Sequence, residues 1–322
     1  MCAVIQHLFN LAGEYKTLAS KALQAFAKTA APVFLLLASP GPAAAGGAAS
    51  DAQDESSLFS PVTYYFTNWF TRADQTRAEQ PQWAPPIITA SPCLQEVFRY
   101  DVTRQTLRNG QDLTSYGGGK GVELIIADRI QLNIGVPTWQ TLNSSPAVSG
   151  WADEDFLIKY RLFAANEQQG NYVLSLYLGL TAPTGSEDLT SHHFTFTPAV
   201  AFGKGWGDFD FQSTVGVSIP DNGSAASGGG NPVFVNAVLQ YRLARVFWPE
   251  VEANYTYWLN GENNFLSTKD GLNQLFITPG LVVGRFPIWR RTAVTFGLGC
   301  QFAVTDNALY HRNYVLSVRF RF

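Results

Sequence analysis

From Arg312 to Phe322 the chain changes polarity at almost every step. Tyr314, Leu316, Val318, Phe320 and Phe322 are apolar, whereas Asn313, Ser317, Arg319 and Arg321 are polar or cationic, with Val315 the exception. A period of two places these sets on opposite faces of a β-strand, one apolar and one wet. Other stretches repeat the pattern. Tyr172, Leu174, Leu176, Leu178 and Leu180 oppose Asn171, Ser175, Gly179 and Thr181; Val294, Phe296, Leu298, Cys300 and Phe302 oppose Thr295, Gly297, Gly299 and Gln301. From Glu96 onward the sequence divides into such segments at 96–105, 119–126, 129–136, 153–163, 171–182, 193–202, 208–219, 233–243, 248–258, 274–285, 292–303 and 312–322. The segment 274–285 is the least regular, because Pro279 inside it removes a ladder donor.

The connections supply a second pattern. Those at 106–118, 137–152, 183–192, 220–232, 259–273 and 304–311 are long, and they alternate with short ones at 127–128, 164–170, 203–207, 244–247 and 286–291. Short turns at one end and longer loops at the other are the asymmetry of outer-membrane barrels. The expectation is an all-β fold, a transmembrane antiparallel up-and-down β-barrel of about 12 strands. It depends on breaking the run 119–136 at Ala127-Asp128-Arg129, since an unbroken run makes the count odd. The long connections carry turn chemistry, as in Asn222-Gly223-Ser224 and Asn260-Gly261-Glu262. Trp139, Trp151, Trp206, Trp248, Trp258 and Trp289 lie near expected strand ends. They read as girdle residues at the membrane–water interface, with ordinary core tryptophan as the alternative.

Composition fits this picture. Aromatics reach 14% and charged residues only 15%, yet mean hydropathy is −0.03. No apolar run approaches the roughly 20 residues of a membrane-spanning helix. The formal charge of −3 shows no basic bias, so no nucleic-acid partner is expected. Cys2, Cys93 and Cys300 are odd in number and widely spaced, which makes neither a disulfide framework nor a metal cluster. A Cys93–Cys300 bridge is the pairing left open.

The first residues carry export features. Lys16, Lys21 and Lys28 precede the apolar stretch 30–38, and Ala43-Ala44-Ala45 follows as a cleavage pattern. Residues 1–45 are therefore expected to be a signal peptide, against an amphipathic helix as the alternative. Residues 46–95 are rich in Gln, Ser, Pro and Ala, and only Val62 to Phe70 is strand-like. They are expected to form a periplasmic leader or a plug folded into the lumen, and 96–322 the barrel.

If apolar faces meet lipid, the opposite faces line the interior. That assignment puts Glu123, Arg129, Lys159, Arg161, Asp208, Asp210, Arg242, Glu252, Arg319 and Arg321 in the lumen. Buried charges of both signs need partners or water, so they either brace the wall or form a polar constriction that selects solutes. Twelve strands fall between a side-chain-filled barrel of eight and an open pore of 16 to 18. The lumen should then admit a small molecule or be blocked by an inward segment.

The final strand resembles the C-terminal strand of bacterial outer-membrane barrels, in which a last Phe belongs to the assembly signal. That implies the lipid bilayer and the barrel assembly machinery as partners, with Tyr314, Leu316, Val318, Phe320 and Phe322 facing lipid. Further motifs are Ser91-Pro92 to Tyr100-Asp101, the run Tyr116 to Ile125, Gly135-Val136-Pro137, and Ala182-Pro183-Thr184-Gly185-Ser186. Together they resemble the transporter-like outer-membrane proteins grouped with the MetA pathway of phenol degradation, over roughly 90–322. The resemblance implies an outer-membrane barrel akin to channels for hydrophobic compounds, and it transfers no catalytic residues.

Enzymatic readings find less support. His192 and His193 lie near Ser191, Glu187 and Asp188, but no G-x-S-x-G elbow is present. Adjacent strand histidines point to opposite faces, which weakens a shared metal site. Gly117-Gly118-Gly119-Lys120 lacks the spacing of a phosphate loop and reads as a hairpin turn. The expected function is an outer-membrane channel for passive uptake or efflux of small hydrophobic or aromatic molecules, with neither cofactor nor metal. The alternatives are a structural or surface-binding barrel and an outer-membrane hydrolase.

Overall fold

The computed structural model describes residues 63–221, 230–259 and 272–322. The chain divides into two units, Met1–Thr67 and Asn68–Phe322. In the first, residues 63–67 form a helical turn. The expected signal peptide and the leader before residue 63 lie outside the described residues.

The second unit begins with a helix, α1 (Trp69–Ala78), and continues into strands. Their ranges are β1 (Val97–Leu107), β2 (Asp112–Ala127), β3 (Ile130–Leu142), β4 (Val148–Trp151), β5 (Glu154–Ala165), β6 (Tyr172–Ala182) and β7 (Thr195–Trp206). There follow β8 (Phe209–Val217), β9 (Ile219–Pro220), β10 (Pro232–Tyr241), β11 (Phe247–Trp258), β12 (Asn273–Trp289), β13 (Thr292–Ala303) and β14 (Tyr310–Arg321). Among the described residues every pairing is antiparallel, and twelve strands form the wall. Neighbours along the chain pair in turn, and β1 pairs with both β2 and β14, so the sheet closes on itself. The short strands β4 and β9 merely extend the long-loop end. Closure leaves no sheet edge for lipid to meet, which a membrane-spanning sheet requires.

The faces follow the sequence pattern. Leu298, Leu239 and Val251 stand on the outside, each about half exposed (50%, 51% and 54%), whereas Ser317, Gln212 and Glu252 on the opposite face are fully buried. In β14 the odd positions 313 to 319 are buried, while Tyr314, Leu316, Val318 and Phe320 are partly exposed on the outer face. Val315, the apolar exception, is turned inward and packs with Trp248, Val282 and Ile87.

Several elements depart from the alternation. Of the strand-like run Val62 to Phe70, the described residues 63–70 form no strand: residues 63–67 are helical, and α1 begins at Trp69. The expected loop 106–118 shrinks to residues 108–111, because β2 starts at Asp112 and runs through the glycines. Gly117-Gly118-Gly119-Lys120 is thus not a hairpin turn but an irregular stretch of wall, with register shifts against β3 at Tyr116/Gly118 and Gly118/Val122. Gly121 makes this feasible. Its φ is +42°, and a Cβ there would lie 2.1 Å from the Ile134 carbonyl oxygen. Pro279 is accommodated within β12, whose pairing with β13 skips Thr278 and Pro279 while keeping register. Trp151, Trp206 and Trp289 are exposed near strand ends, whereas Trp248 and Trp258 are buried inside. Cys93 and Cys300 are both free thiols.

The outer face should be intolerant of charge. Leu316→Arg, near the middle of β14, should cost about 2–4 kcal/mol when urea unfolding is followed in lipid vesicles. An unchanged midpoint would place Leu316 away from lipid.

Candidate functional site

After α1 the chain does not proceed directly to the wall. Residues 80–95 instead cross the interior, and their contacts come from strands all round the ring. Only a segment in the lumen can touch β1, β2, β5, β6, β8, β11, β12 and β14 together. Among the described residues, none from 82 to 94 makes a main-chain-to-main-chain hydrogen bond. An irregular backbone at membrane depth must find partners elsewhere.

The wall supplies them. Every main-chain carbonyl from Gln82 to Cys93 accepts a hydrogen bond from a wall side chain. Arg285 Nη2 donates to Gln82 O at 2.6 Å and Trp83 O at 2.8 Å, and Gln212 Nε2 to Ala84 O at 3.2 Å. Arg319 reaches Pro85 O and Pro86 O, and Arg99 reaches Pro86 O and Ile87 O. Lys120 Nζ spans Ile87 O (3.4 Å), Ile88 O (2.9 Å) and Thr89 O (3.2 Å). Thr214 Oγ1 donates to Ala90 O at 3.0 Å, and Ser175 Oγ to Pro92 O at 2.7 Å. Lys159 Nζ bridges Ser91 O at 2.8 Å and Cys93 O at 2.9 Å, with Tyr177 also donating to Ser91 O.

Carboxylates and amides meet the donors of residues 87–89, 94 and 95. Glu250 accepts from Ile87 N at 2.9 Å, and Glu252 accepts from Ile88 N at 2.7 Å and Thr89 N at 2.6 Å. Gln80 closes Leu94 from both sides, and Gln131 accepts from Gln95 N. Pro81, Pro85, Pro86 and Pro92 bring no N–H to satisfy.

Apolar side chains of the segment need room, and glycines in the wall provide it. A Cβ on Gly203 would stand 2.3 Å from the Trp83 ring, and one on Gly280 would stand 2.6 Å from Ile87 Cδ1. Ile87 fills the space beside Trp248, Val282 and Val315; Trp83 and Cys93 pack against Val173. A cavity beside the segment holds about 60 Å³, and Trp248, Arg285 and Arg319 contribute to its lining.

At the short-turn end α1 covers the mouth. Arg291 pairs with Asp74, with Nη2 to Oδ1 at 2.7 Å, and Thr76 Oγ1 donates to Asp128 O at 3.2 Å. Arg161 joins Glu79 at 2.6 Å. Ala73 packs with Leu94 and Ile125. Glu96, just ahead of β1, accepts from Trp69 Nε1. Burial pushes its carboxyl up to about 7, against the pull of the indole hydrogen bond.

The lumen assignments divide accordingly. Glu123, Lys159, Arg161, Asp210, Glu252 and Arg319 are buried on the inner face. Arg321 is partly exposed at the short-turn mouth, beside a vestibule of about 410 Å³ that Asp74 and Glu167 also line. Arg129, Asp208 and Arg242 do not line the lumen. Arg129 and Asp208 are exposed in two-residue turns, and Arg242 lies beyond β10, where it bridges Glu167 (3.0 Å) and Asp208 (3.1 Å). Alternation fails for them because the strands end first. Residues not singled out by the pattern matter as much: Arg99, Lys120, Glu250 and Arg285. Arg285 has the parity of the outer face, but a bulge after Gly284 (φ +149°) puts it at φ +61° and turns it inward.

Ser191, His192 and His193 do not form a triad. Ser191 Oγ donates to Asp153 Oδ2 at 2.6 Å, while His193 Nδ1 faces the Ser191 carbonyl rather than its hydroxyl. Asp153 is instead a loop tie. It also accepts from Gly185 N at 3.0 Å, and although burial opposes ionisation, the Ser191 and Gly185 hydrogen bonds hold its carboxyl below the usual range. The Pro183-Thr184-Gly185-Ser186 motif thereby pins the β6–β7 loop to β4 and β5, with Ser186 Oγ accepting from Trp151 N at 2.9 Å.

A family model described as "Putative MetA-pathway of phenol degradation" matches residues 95–273, more than half of the chain. Among solved structures, an outer-membrane channel from Pseudomonas putida F1 is 16% identical, with a TM-score of 0.48 over 70% of this chain and 92% of that one. The KdgM porin is 10% identical, with a TM-score of 0.40 over 70% and 99%. The translocator domain of the autotransporter NalP from Neisseria meningitidis is 10% identical, with a TM-score of 0.41 over 82% and 96%. No curated protein matches the sequence.

Two predictions follow from the packing of the segment. Lys120→Met leaves up to three carbonyls without their charged donor. It should loosen residues 87–89 by about 2 kcal/mol, read as roughly thirty-fold faster amide exchange there with β7 and β8 unchanged. Unaltered exchange would show that Lys120 does not hold the segment. The second concerns pH. Folded Glu96 binds its proton more tightly than the unfolded chain, so stability is fully present below the ordinary 4.5 and declines as pH rises through about 7. The thermal midpoint should therefore be higher at about pH 5 than at about pH 8, and Glu96→Gln should shrink that difference. A difference of the same size in Glu96→Gln would assign it to other groups.

Proposed function

The chain belongs to the MetA-pathway of phenol degradation family, and from that premise we propose that it is a channel of the bacterial outer membrane that passively admits small hydrophobic or aromatic molecules when residues 80–95 shift. One observation carries the reading. The segment that fills the lumen is held only by side chains, with no strand pairing and no disulfide to the wall. A filling of that kind can be exchanged for water or solute without breaking the barrel, because the sheet closes independently of it. Apolar wall surface now covered by Ile87 and Trp83, from Trp248, Val282, Val315 and Val173, supports an apolar or aromatic solute rather than a sugar.

Tethering the segment tests this. Ser91→Cys with Gln212→Cys, in a background with Cys2, Cys93 and Cys300 replaced by serine, puts thiols on two side chains that now meet, Ser91 Oγ donating to Gln212 Oε1 at 3.0 Å. Oxidation should silence single-channel conductance and solute flux, and reduction should restore both. Equal conductance in the two states would mean that solute passes without movement of the segment.

A further inference from the structure

The cations that grip the segment have an unusual set of partners. Among the described residues, no carboxylate lies within ion-pair distance of Lys120, Lys159, Arg285 or Arg319. Their acceptors are main-chain carbonyls, supplemented for Arg319 by Ser317 Oγ at 3.0 Å. Arg99 differs, because it is already paired with Asp101 at 2.8 Å. The four stand on β12, β14, β2 and β5, so they line one half of the ring, on either side of the seam between β1 and β14. Lys159 and Lys120 each touch more than one oxygen, as a cation receiving a carboxylate would.

Taking the segment away leaves these four charges facing water or solute. Two carboxylates lose their partners as well, Glu250 and Glu252, but both sit on β11 at successive inward positions. Glu123 and Asp210 also face the interior, so the path carries both signs, but the cations are concentrated along the β12–β5 arc, where Lys and Arg favour anions. The same path is partly apolar, with the seat of the Trp83 ring against Gly203 and Val173.

We propose that the carbonyl seats of residues 83–93 are the binding track of the open channel, and that its preferred solutes are small aromatic carboxylates. The carboxylate takes the place of a main-chain carbonyl at Lys159 or Arg285, and the ring takes the place of Trp83 or Ile87. This rests on the channel reading and narrows its solute class to anions.

The experiment uses the full-length chain in planar bilayers under a potassium benzoate gradient, with potassium chloride as the comparison. The expected reversal potential lies toward that of benzoate and further from potassium than in chloride. Lys159→Met and Arg285→Met should each reduce the shift by roughly half, whereas Lys159→Arg should retain it. Heat-modifiable migration of each variant confirms that the barrel has folded, and the arginine variant separates loss of charge from damage to the wall. Cation-selective openings, or openings that do not distinguish benzoate from chloride, would overturn the carboxylate assignment and leave a channel. Silence of the parent chain in every salt would overturn the channel reading and this inference with it.

Discussion

A main chain without strand or helix partners can lie inside a membrane-spanning barrel only if something else satisfies its peptide groups. That requirement, met for every carbonyl from Gln82 to Leu94, explains much of the inner face. It accounts for why Lys and Arg are buried in a protein of low charge content, and why their acceptors are carbonyl oxygens. It also accounts for the prolines, which reduce the number of donors to be met. Glycine at Gly203 and Gly280 belongs to the same requirement, since any side chain there would displace Trp83 or Ile87. The wall and the segment are therefore complementary in both polarity and shape.

Much of the barrel was legible from alternation, because lipid on one side and a polar interior on the other impose a strict period of two. β6, β8, β13 and β14 read directly, and each of the twelve expected segments overlaps a wall strand. The failures have local causes. Backbone conformations open to glycine let β2 continue through a run that composition marks as a turn. The bulge at Gly284 reverses the parity of Arg285, which periodicity cannot anticipate. Arg129, Asp208 and Arg242 fall just outside β3, β8 and β10, where facing no longer follows from parity. Trp248 and Trp258 resemble girdle residues by position but are buried, and Trp248 packs against Ala84 and Ile87 of the segment.

The segment itself was hardest to read. Its sequence has no periodicity, because it forms no regular element, and its partners lie far along the chain. Composition separated it from the barrel, but the register of each carbonyl against Lys120, Lys159 or Arg319 depends on the closed ring. Family membership and the geometry meet at this point. The family match begins at residue 95 and thus covers wall strands, whereas the residues that fill the lumen precede it.

Arg319 lies three residues before Phe322, yet it grips Pro85, 234 positions earlier. The separation ties the interior to the seam between β1 and β14. Until the last strand meets the first, Arg319 and Arg99 do not stand side by side, and Pro85 and Pro86 lack their donor from β14. Loop closure over almost the whole chain must therefore come before the segment can settle. In kinetic terms the lumen is filled last, and a barrel caught before its seam zips would be an empty ring with its cations bare.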